Sequence, residues 1–443
     1  VIDILKSVHF YKPEHQTIYK EITDLFMQGA EIDIITVANS LKQKGKLEEI
    51  GGISYLTLLT RKILTTGSIE HFAKIITDKY VLREFIKLAH FMNEKSYSGE
   101  FQTSELIEKI QQRFYEIIDI TYKRETRPLS DMMNEYFEYL EKVRSGKTQL
   151  QGVPSGYTNL DRITGGFQNS DLIVIASRPG MGKTAFVLNM ALNAARNGFP
   201  VAFFSIEMNA QQLLHRILAM ETRLPHDKFR KITSLTDTDI EALEKASEKL
   251  KELPLYIDDT PGISLFELRT KVRRLKAQHK IGLVIVDYLQ LIHIPEKHGM
   301  TREQEVSLIS RSLKQIAKEI NVPVIAVSQL NREVEKRRDY RPMLSDLRES
   351  GAIEQDADMI IFLYRPEYYR IKEIQDPSGN IISVPKGYTE VIIAKYRHGP
   401  TDTIILTYLD KFNIFEEPEL ASTGYMVMPS RPTSSSTETG EPF

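Results

Sequence analysis

Asp171 to Phe186 reads DLIVIASRPGMGKTAF. Ile173, Val174 and Ile175 form a short apolar run of β-branched residues, the pattern of a buried strand. From Thr184 to Asn197 the apolar side chains fall at helical spacing, with Phe186, Met190 and Ala194 on one face. Gly198 stands where such a helix would stop. Strand, glycine-bearing loop and helix N-terminus, in that order, describe a phosphate-binding loop. Gly180 and Gly182 let backbone amides turn inward around phosphate oxygens. Lys183 is placed to reach the β- and γ-phosphates, and the Thr184 hydroxyl to ligate Mg²⁺. The expected contact segment is Ser177, Arg178, Pro179, Gly180, Met181, Gly182, Lys183, Thr184 and Ala185. Ser177 occupies the place where a first glycine usually sits, so the loop must make its first bend without positive φ there. Pro179 stiffens the backbone on the approach to Gly180.

Outward from this loop, residues 151–420 alternate strand and helix patterns, the mark of a parallel sheet with crossover helices. LIVIA, VAFFSI, PLYID, LVIVD, PVIAVS, MIIFLY, EVIIA and TIILTYL are the strand candidates. Several are continuous apolar runs, as strands covered on both faces should be. Four of them end in residues with chemistry. Asp287 closes LVIVD, and an acid at the carboxyl end of a strand can hold Mg²⁺ through water. Glu207 follows VAFFSI and can orient or deprotonate an attacking water. Gln329 follows PVIAVS; it is no base, but it can hydrogen-bond a γ-phosphate and sense its presence. Lys395 and Arg397 lie two apart near the end of EVIIAKYR, so both cations project from one face, with Tyr396 on the other. Paired cations suit developing phosphate charge.

Composition sets the bounds. The chain has 443 residues, enough for more than one domain, and 41% are apolar. Lys plus Arg number 58 against 60 Asp plus Glu, so charge alone does not announce nucleic acid. There is no cysteine, which excludes disulfides, thiol catalysis and cysteine metal sites, and fits a cytoplasmic location. No apolar stretch is long enough to span a membrane. The chain opens on Val1 rather than Met, so the expectation is that natural residues precede it.

Residues 1–100 read as a helical interaction domain, with Ile18, Ile22, Leu25 and Phe26 at helical spacing in PEHQTIYKEITDLFMQG and Gly29 as its stop. Residues 101–150 read as a linker region. Within it, 129–144 carries an apolar stripe of Leu129, Met132, Met133, Tyr136, Phe137, Leu140 and Val143. Ser130 is the expected N-cap and Gly146 lies beyond the end. This is either a docking helix for a neighbouring subunit or a helix packed on its own globule. Residues 421–443 are rich in Ser, Thr and Pro and are expected to be disordered.

SRPGMGKTAF, SIEM, VIVDYLQL, VSQLNR, LSDLRESGAIEQDAD and AKYRHGP occur in that order along the chain. Together they resemble the replicative DNA helicases of the DnaB type, within the RecA-like ATPases, over nearly the whole chain. The resemblance implies an α/β RecA-like parallel-sheet ATPase domain behind an all-α N-terminal domain and a linker helix. It implies a homo-hexameric ring around single-stranded DNA, with ATP and Mg²⁺ at each interface and movement 5′ to 3′. Lys183, Thr184, Glu207, Asp287 and Gln329 would act from one subunit, and Lys395 and Arg397 from the next. Arg216 would be a further active-site arginine. Arg348, Glu349 and Gly351 would lie on a loop touching the DNA backbone, Gly351 permitting a sharp bend. A primase and a helicase loader would be partners. The residues alone leave open two rivals: a RecA-type recombinase filament, and an ATP-gated scaffold that unwinds nothing.

Overall fold

A computed structural model describes residues 1–2, 4–61, 69–121, 129–144, 152–230, 232–294, 300–375 and 381–418. The chain divides into two compact units, Val1–Tyr136 and Phe137–Phe443.

The first unit is helical: α1 (Pro13–Met27), α2 (Ile34–Gln43), α3 (Gly52–Arg61), α4 (Ile69–Ser98) and α5 (Thr103–Thr121), followed by α6 (Leu129–Arg144), which runs past the unit's limit. Pro13 opens α1, where its missing N–H costs nothing. Asp33 caps α2 by accepting from Thr36 N at 2.7 Å while Thr36 Oγ1 accepts from Asp33 N. Ile18, Leu25, Val37, Ala38, Leu41, Leu47, Ile50 and Leu56 make the core of these first helices. Ile22 packs partly against it. Phe26, expected on the same face, is 55% exposed, because it lies a further 100° round the helix from Leu25. In α6, Ser130 is the second residue of the helix rather than its cap. Leu129, Met132, Met133, Tyr136 and Phe137 are exposed, and Leu140 is half-buried. Gly146 and residues 421–443 fall outside the described residues, as does the side chain of Val143.

The second unit is built on β1 (Leu172–Ser177), β2 (Val201–Ser205), β3 (Leu255–Asp258), β4 (Leu283–Asp287), β5 (Val324–Gln329) and β6 (Met359–Tyr364). Around them lie α7 (Thr158–Thr164), α8 (Lys183–Arg196), α9 (Ala210–Thr222), α10 (His226–Arg230), α11 (Asp237–Lys251), α12 (Leu265–His279), α13 (Arg302–Ile320) and α14 (Gly351–Asp356). After β6 come a small hairpin, β7 (Glu373–Gln375) and β8 (Ile381–Ser383), then β9 (Tyr388–Tyr396), β10 (Asp402–Leu409) and β11 (Ile414–Glu416). The main sheet runs in the order β11-β10-β9-β6-β1-β5-β4-β2-β3. From β6 to β3 every pairing is parallel. The expected parallel sheet is present in these six strands, and β9, β10 and β11 extend it with antiparallel pairings. β6 and β9 are joined through the hairpin, not through a helical crossover, and antiparallel neighbours need no crossover.

β1 is buried along its whole length. Ile173 and Ile175 face one core with Phe186, Leu188 and Met190 of α8. Leu172, Val174 and Ala176 face the other, with Ile309, Leu313 and Ile316 of α13. Alternate side chains of one strand thus anchor helices on both faces. α8 ends with Gly198 at φ +81°, where Phe199 N closes back onto Ala194 O.

Candidate nucleotide site

Because β1, β5, β4 and β2 are adjacent and parallel, their carboxyl ends open on one edge of the sheet, the place where such sheets bind ligands. The register brings the ends close. Ser177 pairs with Gln329, and Ser205 with Asp287. Ile206 N donates to Asp287 O at 2.8 Å, which sets Glu207 beside Asp287. The loop after β1, the acids after β2 and β4 and the amide of Gln329 therefore share one crevice.

Ser177 completes β1 and is fully buried. The positive φ it cannot supply is taken by Gly180 (+81°) and Gly182 (+92°). A Cβ on Gly180 would also stand 2.7 Å from the exposed Tyr368 ring, which would have to move aside, but the positive φ is what favours glycine here. Arg178 ties the loop down through Glu335 and Leu330 O, each at 2.8 Å. Met181 and Ala185 are buried anchors, while Pro179 is exposed. Lys183 opens α8 and donates from Nζ to Ser177 O at 2.8 Å and Arg178 O at 3.3 Å. Burial lowers its pKa to about 8, against the pull of Asp287 and Glu207.

Asp287 is 2% exposed. Burial raises its pKa, and the hydrogen bond from Thr184 opposes that rise. Its Oδ2 is buried with no hydrogen-bond partner. A buried carboxylate oxygen left unpaired beside a hydroxyl is the donor set a hard divalent cation uses, so Thr184 and Asp287 fit Mg²⁺. Arg216, half-buried on α9, is close enough to act on Asp287 and on Tyr408.

Several neighbours of the site had no role assigned from the sequence, although Gln290 lies within VIVDYLQL. Gln290 donates to Ser328 Oγ at 2.9 Å and accepts weakly from Gln329 N at 3.4 Å, which steadies the end of β5. Arg365 reaches Gly180 O at 3.4 Å and lies 4.5 Å over the Tyr408 ring. These contacts depend on which strands are neighbours, and no local pattern gives that.

Lys395 and Arg397 do not join this crevice. β9 runs antiparallel to β6, pairing Lys395 with Ile360, and Arg397 N donates to Asp358 O at 2.8 Å. Both cations thus sit at the opposite edge of the sheet, where β1 and β6 begin. The length of β1, roughly 20 Å at about 3.3 Å per residue, separates them from the loop that follows β1. Lys395 Nζ donates to Glu354 O and to Ala357 O, and Arg397 Nη2 to Gln355 O. Tyr396 points the other way, its hydroxyl donating to Thr164 O at 2.9 Å. Arg348 and Glu349 lie in a short 3-10 segment, Leu344–Ser350, that is kinked at Leu347, and Gly351 starts α14, so the three residues stand where two short helical stretches join.

Comparison with known proteins agrees with this architecture. Residues 152–417 match the family described as DnaB-like helicase C terminal domain, and residues 1–78 the DnaB-like helicase N terminal domain. The chain is 41% identical to the replicative DNA helicase DnaC of Bacillus subtilis (strain 168), over 93% of this chain and 89% of the relative. It is equally similar to the replicative DNA helicase DnaB of Geobacillus stearothermophilus, with the same identity and coverage. A solved structure of a DnaB-like replicative helicase, studied with its primase interactions, superposes with a TM-score of 0.70 at 33% identity, covering 94% of each chain. With both domain families in order and relatives matched almost end to end, this chain belongs to the DnaB-like replicative helicases.

Proposed function

We propose that this chain is an ATP-driven replicative helicase that works as a homo-hexameric ring, moving 5′ to 3′ on single-stranded DNA in the cytoplasm. One observation carries the reading: the phosphate loop and the paired cations occupy opposite edges of one sheet. A chain so built completes its nucleotide site only with a second copy placed head to tail. A ring repeats that contact without leaving an end.

Each residue then has a task. The loop amides, Lys183 and Thr184 bind the triphosphate. Thr184 and Asp287 would hold Mg²⁺, which when bound supplies positive charge against the phosphates. Glu207 accepts the proton of the attacking water. Gln329, steadied through Gln290, reports the γ-phosphate. Lys395 and Arg397 of the adjacent subunit meet the charge that develops there, and Arg216 adds a third cation from the same chain. The segment Arg348, Glu349 and Gly351 contacts the DNA backbone inside the ring. Repeated around one channel, such segments give local charge that an overall neutral chain does not display. The exposed stripe of α6 docks on a neighbouring subunit, residues 1–100 form the interaction domain for a primase, and a loader places the ring on DNA.

Strand displacement on a forked duplex tests the proposal. ATP with Mg²⁺ should release the labelled strand from a fork with a free 5′ tail, and Lys183→Ala should not. ATP hydrolysis without strand release on any fork would leave the scaffold reading standing. Filaments rather than closed rings in electron micrographs would favour the recombinase.

A further inference from the structure

Asp358 immediately precedes β6 and is 3% exposed. Its Oδ2 accepts from Leu172 N, the first residue of β1, at 2.8 Å and is ion-paired with Lys314. Lys314 Nζ also donates to Ser170 O at 2.8 Å and lies 3.9 Å from Asp171, which faces His398 at 3.4 Å. That pair fixes the carboxylate at the base of the sheet. The other oxygen, Oδ1, faces Arg397 Nη1 at 3.6 Å. Asp358 O accepts from Arg397 N at 2.8 Å as well, so one residue holds Arg397 by backbone and side chain together.

On the reading that Arg397 acts on the neighbouring subunit's nucleotide, we infer that Asp358 is a positioning residue for that reaction, its buried carboxylate presetting the Arg397 guanidinium. The geometry gives the reason. A guanidinium carries donors in a rigid fork. Asp358 and Gln355 O engage its inner side, and the side chain is still 48% exposed. The outer donors are left for a phosphate. A long arginine otherwise loses rotamer freedom at each encounter, which slows the step it serves. Lys395 is held alike, by Glu354 O and Ala357 O, so both cations are fixed to one platform.

The rival is that Asp358 merely staples β1, β6 and α13 together. Asp358→Asn separates the two, since it keeps the shape and removes the charge. Positioning predicts that the variant assembles and binds a labelled ATP analogue normally, yet hydrolyses ATP roughly tenfold to a hundredfold more slowly. Rings mixed from Asp358→Asn and Lys183→Ala chains should then recover activity to the level of Arg397→Ala mixed with Lys183→Ala. Asp358→Glu, which retains the charge, should keep more activity than Asp358→Asn. A staple predicts weakened analogue binding and no recovery on mixing. If Arg397→Ala itself gains nothing from Lys183→Ala, the reading in trans is wrong and this inference falls with it. If that control recovers while Asp358→Asn is normal alone or unrescued, only the inference about Asp358 falls. Should neither Asp358 variant assemble, the residue is structural and the inference is overturned.

Discussion

Lys183 shows how burial and charge compete at a single residue. Burial brings its pKa to about 8, with Arg178 adding to the depression and two nearby acids resisting it. A polyphosphate beside the amine favours the ammonium form, so the bound pKa is higher than the free one. Binding therefore takes up a proton once the pH exceeds about 8, and affinity for ATP should be level below that value and fall above it. The fall is at most about tenfold per pH unit. Calorimetry in buffers of different ionisation enthalpy would register the proton, and Lys183→Ala should show neither the proton nor the slope. Glu207→Gln should bind ATP but turn it over about 10²–10⁴-fold more slowly. A loss under about threefold would move the base to another residue. Both residues are legible in the sequence because each stands at a strand end or in a glycine-framed loop. Asp358 is not, although it lies within the conspicuous LSDLRESGAIEQDAD stretch. Its partners Leu172, Lys314 and Arg397 come from β1, α13 and the end of β9, and only the strand order makes them neighbours.

Helices and strands differ in how plainly the sequence shows them, for physical reasons. The α8 and α6 spans are evident because an apolar period of three to four residues persists through them. The parallel strands are evident because burial on both faces leaves unbroken apolar runs. β11 and the small hairpin leave no such trace, being three residues each and too short for any period to show. The direction of β9 is invisible too, since an antiparallel strand buried on both faces reads like a parallel one. At this scale α6 offers a test. Leu129, Met132 and Met133 expose 72%, 53% and 44% of their surface, on a helix whose other positions are mostly polar. Burying each on a neighbour is worth about 1.5–3 kcal/mol. Met132→Asp with Met133→Asp should shift sedimentation velocity from hexamer towards monomer while leaving the circular dichroism of the sheet domain unchanged. An unchanged hexamer would remove α6 from the interface, and a lost fold would assign it to a core.

For the whole molecule, the separation of phosphate loop and paired cations yields a quantitative test. Lys183→Ala chains keep the cations and Arg397→Ala chains keep the loop. If every site draws on two chains, random mixing restores a site only where an Arg397→Ala chain meets a Lys183→Ala neighbour on its correct side. At equal amounts that is about a quarter of all interfaces, so hydrolysis should peak near an equal mixture and vanish at either extreme. A flat profile at zero would place Arg397 in a role within its own chain. The same separation gives each chain a front and a back, and a polar object can be counted. A row of n chains holds n − 1 complete sites while open and n once closed. Turnover per chain therefore rises as a row lengthens and gains its last increment at closure. A ring prised open to admit a DNA strand would pay with one idle site, located at the breach.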